Sequence, residues 1–172
     1  ILSRGEVVAV FQGGMEFGDR ALGFRSILGD PRAVTMKDKI NSMIKYRESY
    51  RPFAPATLAA KAHEIFEVDK GYQCNYMEKV VQVRNEWRKK LPAVTHFDGS
   101  GRLQTVQKKH NPYFYRIIEE FEKISEIPVV LNTSFNINGE PIVLTPDDAL
   151  STFFNSGLEF LMLENFLVKK IS

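Results

Sequence analysis

Residues 127–131, Ile127-Pro128-Val129-Val130-Leu131, form an unbroken apolar run rich in β-branched side chains. A run of this length reads as a buried strand. Asn132, Thr133, Ser134 and Asn136 follow it at once, and then Gly139-Glu140-Pro141. Short amides and hydroxyls crowded at the end of a buried strand suit a site that reads a small polar molecule. The same residue types also favour a capped, glycine-terminated turn. Both readings stand on this segment alone, and upstream arginines weigh toward the first.

The remaining pattern predicts one α/β (α+β) domain. Residues 6–12 read as a buried strand ending in Gly13-Gly14. Asp30-Pro31 offers an N-cap and a first-turn proline to a helix that runs to about Lys45. Pro52 to Leu58 is expected to be extended, because each proline disfavours helix in its predecessor. A short helix is expected over 61–66, a strand over 76–83, a break at 87–92 and a strand over 93–97. Asp98 to Gly101 reads as a flexible loop. Asn111-Pro112 and Thr145-Pro146 start two further helices, and 158–163 and 166–169 read as closing strands. With 172 residues and 44% hydrophobic content, the chain is large enough for a real core. It starts without methionine, and is expected to be a piece of a longer polypeptide. No run approaches membrane-span length, no secretory signal is present, and the single cysteine, Cys74, fits a reducing, cytoplasmic compartment.

Charge is unevenly spread. Between Arg20 and Arg51 stand eight basic residues and three acids, so this segment carries +5 and the remainder −3 of the net +2. Such imbalance points to an anionic partner, although a solvated basic face would look the same. Arg20 and Arg25 lie among glycines in 18–26, where the backbone can approach a ligand and guanidinium forks match phosphate or carboxylate. The plain alternative is surface pairing of Arg20 with Glu16 or Asp19. Lys45, Arg47 and Arg51 fall within seven residues. Helix-dipole complementation accounts for Lys45 and Arg47 but not for Arg51, and Glu48 is a possible partner for one of the three. Arg102 follows the 99–101 glycines as a cation on a mobile loop, suited to closing over phosphate. The histidines have no metal-ligand spacing, so no intrinsic metal site is expected.

In this order, Gly-Asp-Arg-Ala-Leu-Gly (18–23), Arg-Ser-Ile-Leu (25–28), Arg-Pro-Phe-Ala-Pro (51–55) and Asn-Thr-Ser-Phe-Asn with Gly-Glu-Pro (132–141) resemble the C-terminal domain of the O-carbamoyltransferases of nodulation-factor and antibiotic tailoring. The resemblance covers residues 5–169. Lys45-x-Arg47 and Ser134-x-Asn136 are also similar to paired motifs of YrdC-like domains, which bind ATP and form acyl-adenylates. The resemblance implies a YrdC-like twisted open sheet flanked by helices. It implies that this chain takes ATP, with Mg²⁺ arriving on the nucleotide, and carbamoyl phosphate, to make carbamoyl adenylate. A separate N-terminal actin-like domain of the same polypeptide would hold the metal and pass the carbamoyl group to a hydroxyl acceptor. By matching positions, Arg20, Lys45, Arg51, Asn132 and Ser134 are implied to line the reacting pocket, with Arg47, Arg102, Thr133 and Asn136 binding the nucleotide. The other class considered is a YrdC-like RNA- or nucleotide-binding module without catalysis. The modest net charge counts against nucleic acid.

Overall fold

The computed structural model describes residues 1–48 and 50–171. Eight strands form one open mixed sheet: β1 (Val8–Phe11), β2 (Arg25–Gly29), β3 (Ala54–Leu58), β4 (Lys79–Gln82), β5 (Ser100–Val106), β6 (Val129–Ser134), β7 (Phe160–Leu163) and β8 (Phe166–Lys169). Their order is β4-β5-β3-β6-β2-β1-β7-β8. β3 runs parallel to β5 and β1 parallel to β7, while the other neighbours are antiparallel. β6 lies inside the sheet, and Val129, Val130 and Leu131 are fully buried. Every residue of β1, β2 and β3 is buried as well. Strands covered on both faces read as continuous apolar runs, which is why periodicity of two is absent from them. The last strand, β8, is largely exposed.

Helices cover both faces. α1 (Met36–Ile40) packs its Met36 and Ile40 against the bare backbone of Gly29. Leu28, pointing the opposite way from Gly29, lines a groove with Ile117 and Phe121 of α4 (Pro112–Ser125). Asn111 caps α4 by accepting from the Phe114 amide at 2.9 Å, and Phe114, Ile118 and Phe121 form its buried stripe. α5 (Pro146–Phe154) starts with a capping box between Thr145 and Asp148 and lies against β1. Short turns α2 (Ala62–Ile65) and α3 (Asn85–Arg88) complete the set.

Three local expectations are corrected. The helix after Asp30-Pro31 begins at Met36, because the Asp30 carboxylate is taken by Arg32, through its backbone amide (2.9 Å), Nε (2.9 Å) and Nη2 (2.6 Å). Residues 93–97 form turns instead of a strand, with Val94 and Thr95 amides both donating to the Leu91 carbonyl. Trp87 lies inside the turn α3 instead of in a break.

Candidate functional site

A cavity of about 360 Å³ opens between the loop that precedes β2, the segment joining α1 to β3, and the ends of β5 and β6. Arg20, Lys45, Arg51, Asn132 and Ser134 all line it, and so do Arg47, Arg102, Thr133 and Asn136. Residues far apart in sequence are thus brought together by the order of β5, β3 and β6.

Lys45 reaches the cavity because α1 continues as a single π turn over Asn41–Lys45. Such turns are frequent at functional sites. The chain leaves it through Tyr46, a non-glycine residue in the left-handed region (φ 43°, ψ 44°). Lys45 is buried, and its Nζ donates to the Ser134 carbonyl (2.6 Å) and Oγ (3.1 Å) and to the Asn136 carbonyl (3.1 Å) and Oδ1 (2.7 Å). Burial, reinforced by the charges of Arg47 and Arg51, pushes its pKa down to about 7. The four oxygens work the other way and favour the ammonium form.

Arg47 stacks on the Phe53 ring at 4.6 Å, and burial lowers its pKa ahead of repulsion from Arg51 and Arg102. Arg102 is half-buried within β5, and burial followed by Arg20 lowers its pKa. The Nε atoms of both arginines are buried without partners. Among the described residues, no carboxylate forms an ion pair with Lys45, Arg47, Arg51 or Arg102. Glu48 therefore does not fill the role of partner. Arg20 pairs with Asp19 at 2.6 Å, so the surface-pairing alternative holds in part for this residue, which still faces the cavity.

Two further corrections follow. Arg102 stands on a strand, which fixes it in place, instead of on a closing loop. Arg25 does not reach the cavity: its guanidinium is buried 3.4 Å from the Phe11 ring centroid and donates to the Gln12, Gly13 and Phe24 carbonyls. It holds the start of the loop that carries Arg20.

The polar floor is internally ordered. Asn132 Nδ2 donates to the Ala21 carbonyl (3.0 Å) and to Gln104 Oε1 (2.7 Å). Ser134 Oγ donates to Asn136 Oδ1 (2.6 Å), and Asn136 Nδ2 donates to the Ile137 and Glu140 carbonyls. Residues 132–134 and Asn136 thus line the cavity, and a turn at Gly139 is present as well, braced by Asn136.

Sequence reasoning missed Gln104 and Glu16. Gln104 went unseen because the 99–101 glycines read as loop, although Leu103, Thr105 and Val106 carried a strand signal. Glu16 reads from the sequence only as a partner for Arg20. Its Oε1 accepts instead from the amides of Leu22 (2.6 Å), Phe24 (2.8 Å) and Arg25 (3.3 Å). Glu16→Ala leaves these amides without their acceptor and is expected to cost about 1–3 kcal/mol. Urea denaturation checks the cost. Hydrogen exchange should quicken across residues 20–25 while the α4 amides keep their protection; unchanged exchange in the loop would contradict this role.

An open α/β sheet with its helices presents five cations and one carboxylate, Asp19, to a single cavity, an arrangement whose charge suits an anion. The family model described as the carbamoyltransferase C-terminus matches residues 1–170, and the chain belongs to this family. It is 49% identical over 170 residues to nodulation protein NolO of Bradyrhizobium diazoefficiens, covering 98% of this chain and 31% of that protein. Identity to nodulation protein NolNO of Sinorhizobium fredii is 48%, over 98% of this chain and 25% of that protein. An uncharacterized protein of Synechocystis is 46% identical over 99% of this chain and 31% of its own length. The chain therefore spans under a third of the relatives it matches. Among the described residues, no helix is long and apolar enough to cross a membrane.

Proposed function

We propose that this domain activates a carbamoyl group for a carbamoyltransferase, by binding ATP and carbamoyl phosphate in the cavity between Arg20, Lys45 and Arg102. The observation that carries this reading is the convergence of Lys45, Arg47, Arg51 and Arg102 on one cavity with no carboxylate partner among the described residues. Cations held that close without anions repel one another, and bound phosphates relieve the repulsion. The buried, unpartnered Nε atoms of Arg47 and Arg102 fit phosphate oxygens in the same way. A volume of about 360 Å³ falls within the roughly 300–1,000 Å³ of small-ligand sites. Cations converging on a cavity favour a compact polyanion over the extended backbone of a nucleic acid.

In this reading, carbamoyl phosphate and water yield carbamate and phosphate. A carbamate oxygen then displaces pyrophosphate from the α-phosphorus of ATP, giving carbamoyl adenylate. Both reactants are anionic, and the fixed cations lower their repulsion and stabilise the charge that develops on departing pyrophosphate. No side chain of the site needs to be a covalent nucleophile. Mg²⁺ enters with the nucleotide, supplying charge neutralisation at the phosphates. Transfer to a hydroxyl acceptor falls to the N-terminal part of the longer polypeptide.

Pyrophosphate release with Mg-ATP, measured with and without carbamoyl phosphate, tests the reading. Release only when both are present is the expected result. Failure of the protein to bind either ligand in calorimetry would overturn it.

A further inference from the structure

The amide of Asn132 is held in one orientation by atoms that lie outside the ring of cations. Both of its Nδ2 hydrogens are consumed, by the Ala21 carbonyl and by Gln104 Oε1. Gln104 cannot turn over freely, because its own Nε2 donates to the Leu22 carbonyl at 3.1 Å. If either amide were reversed, nitrogen would face nitrogen or oxygen would face oxygen. Gln104 is 3% exposed and Asn132 1%, so water does not compete for these bonds. What remains of Asn132 is Oδ1, buried and without a hydrogen-bond partner, on a residue that lines the cavity. β5 sets Gln104 two residues after Arg102, hence on the same face of the sheet. Between β5 and β6, Ala54 of β3 pairs with Asn132 and raises no bulk above the floor.

We infer that Gln104 is a positioning residue that sets acyl specificity: it fixes Asn132 so that only an acceptor, Oδ1, is offered to the ligand's acyl group. The proposal rests on the reading of the site given above and deepens it. A ligand with an acyl –NH₂ donates to Oδ1 and satisfies it. A ligand of the same shape with –CH₃ leaves a buried oxygen unpaired. Discrimination of this kind is large, because the penalty falls on the site as well as on the missing bond. Phosphate recognition by the cations is blind to this difference, since both ligands carry the same anionic group.

The test compares phosphonoacetamide with acetonylphosphonate, a stable pair in which –NH₂ replaces –CH₃. Their affinities for the full-length protein are measured by calorimetry. The wild type is expected to prefer the amide by roughly 30-fold or more. Gln104→Leu frees Asn132 to turn, and is expected to shrink that preference at least about tenfold by weakening the amide ligand alone. Affinity for the methyl ketone and for ATP should hold, which a merely structural loss would not allow. If Gln104→Leu does not fold, Asn132→Leu carries the same test and should bring the two affinities together. An unchanged preference in the folded variant overturns the inference. Equal wild-type affinity for both ligands overturns it too, while leaving the phosphate site standing. A wild type that binds neither overturns the inference together with the reading on which it rests.

Discussion

Lys45→Met is expected to lower carbamoyl phosphate-dependent pyrophosphate release by about 10²–10³-fold, the scale of losing one fixed charge-stabilising group. The effect should fall on the rate more than on folding, because methionine fills the same volume. Protonation gives a second, independent signature. The folded pKa of Lys45, about 7, lies below its ordinary 10.5, so between these values the unfolded chain binds more protons than the folded one. Wild-type stability should therefore rise with pH across that window, with the whole charge penalty present below pH 7. Fully developed, that penalty is on the order of 5 kcal/mol. Lys45→Met should show a flatter profile, measured as unfolding free energy from pH 6 to pH 9.5. Bound phosphates favour the ammonium, so ATP binding at pH 8 should take up a proton and give calorimetric heats that change with the buffer's ionisation enthalpy. Heats independent of buffer would remove Lys45 from contact with the nucleotide's charge.

Gly23→Ala should produce the largest loss of stability among small substitutions near the site. A Cβ at this position would stand 2.4 Å from Phe114 Cδ1 and 2.5 Å from its Cγ, and the backbone sits at φ +110°. Phe114 is fully buried in the first turn of α4, where the Asn111 cap holds its amide. It has nowhere to retreat. Overpacking and backbone strain together are expected to cost roughly 2–4 kcal/mol, read from denaturant midpoints. Because Ala21 and Leu22 bond Asn132 and Gln104 through their carbonyls, the displaced loop should also weaken ligand binding. A variant with wild-type midpoint and affinity would show that the loop moves freely, contrary to its bracing.

Much of the cavity was legible in the sequence because its residues violate local rules. Arg51 stands where the chain enters a sheet, which helix-end complementation does not explain, and polar side chains end a buried strand at 132–136, where a capped turn competes with a site. Helices α4 and α5 were legible from cap, proline and spacing, since those signals act within one turn. β5 was hidden because glycines at 99 and 101 mark a loop by composition, whereas Gly101 serves close packing: a Cβ there would stand 3.2 Å from Pro55. Gln104 and Glu16 were hidden for a different reason. Gln104 bonds the Leu22 carbonyl 82 residues away and the Asn132 side chain, and Glu16 bonds amides of the loop that follows it; no periodicity reports such bonds. The π turn that delivers Lys45 also leaves no mark, because its apolar spacing is that of an ordinary helix.

The pairing of β1 with β7 sets the order in which this molecule can be completed. Val8 lies beside Phe160 and Phe11 beside Leu163, and Glu164 reaches back to the Gly13 amide at 2.8 Å. During synthesis, β1 lacks one of its two edges until β7, far downstream of it in the chain, has left the ribosome. The loop carrying Arg20 springs from that strand, so nascent chains hold their cations on an unfinished frame. Contacts of such long sequence separation fold slowly. Binding competence is thus acquired late, as a property of the finished sheet.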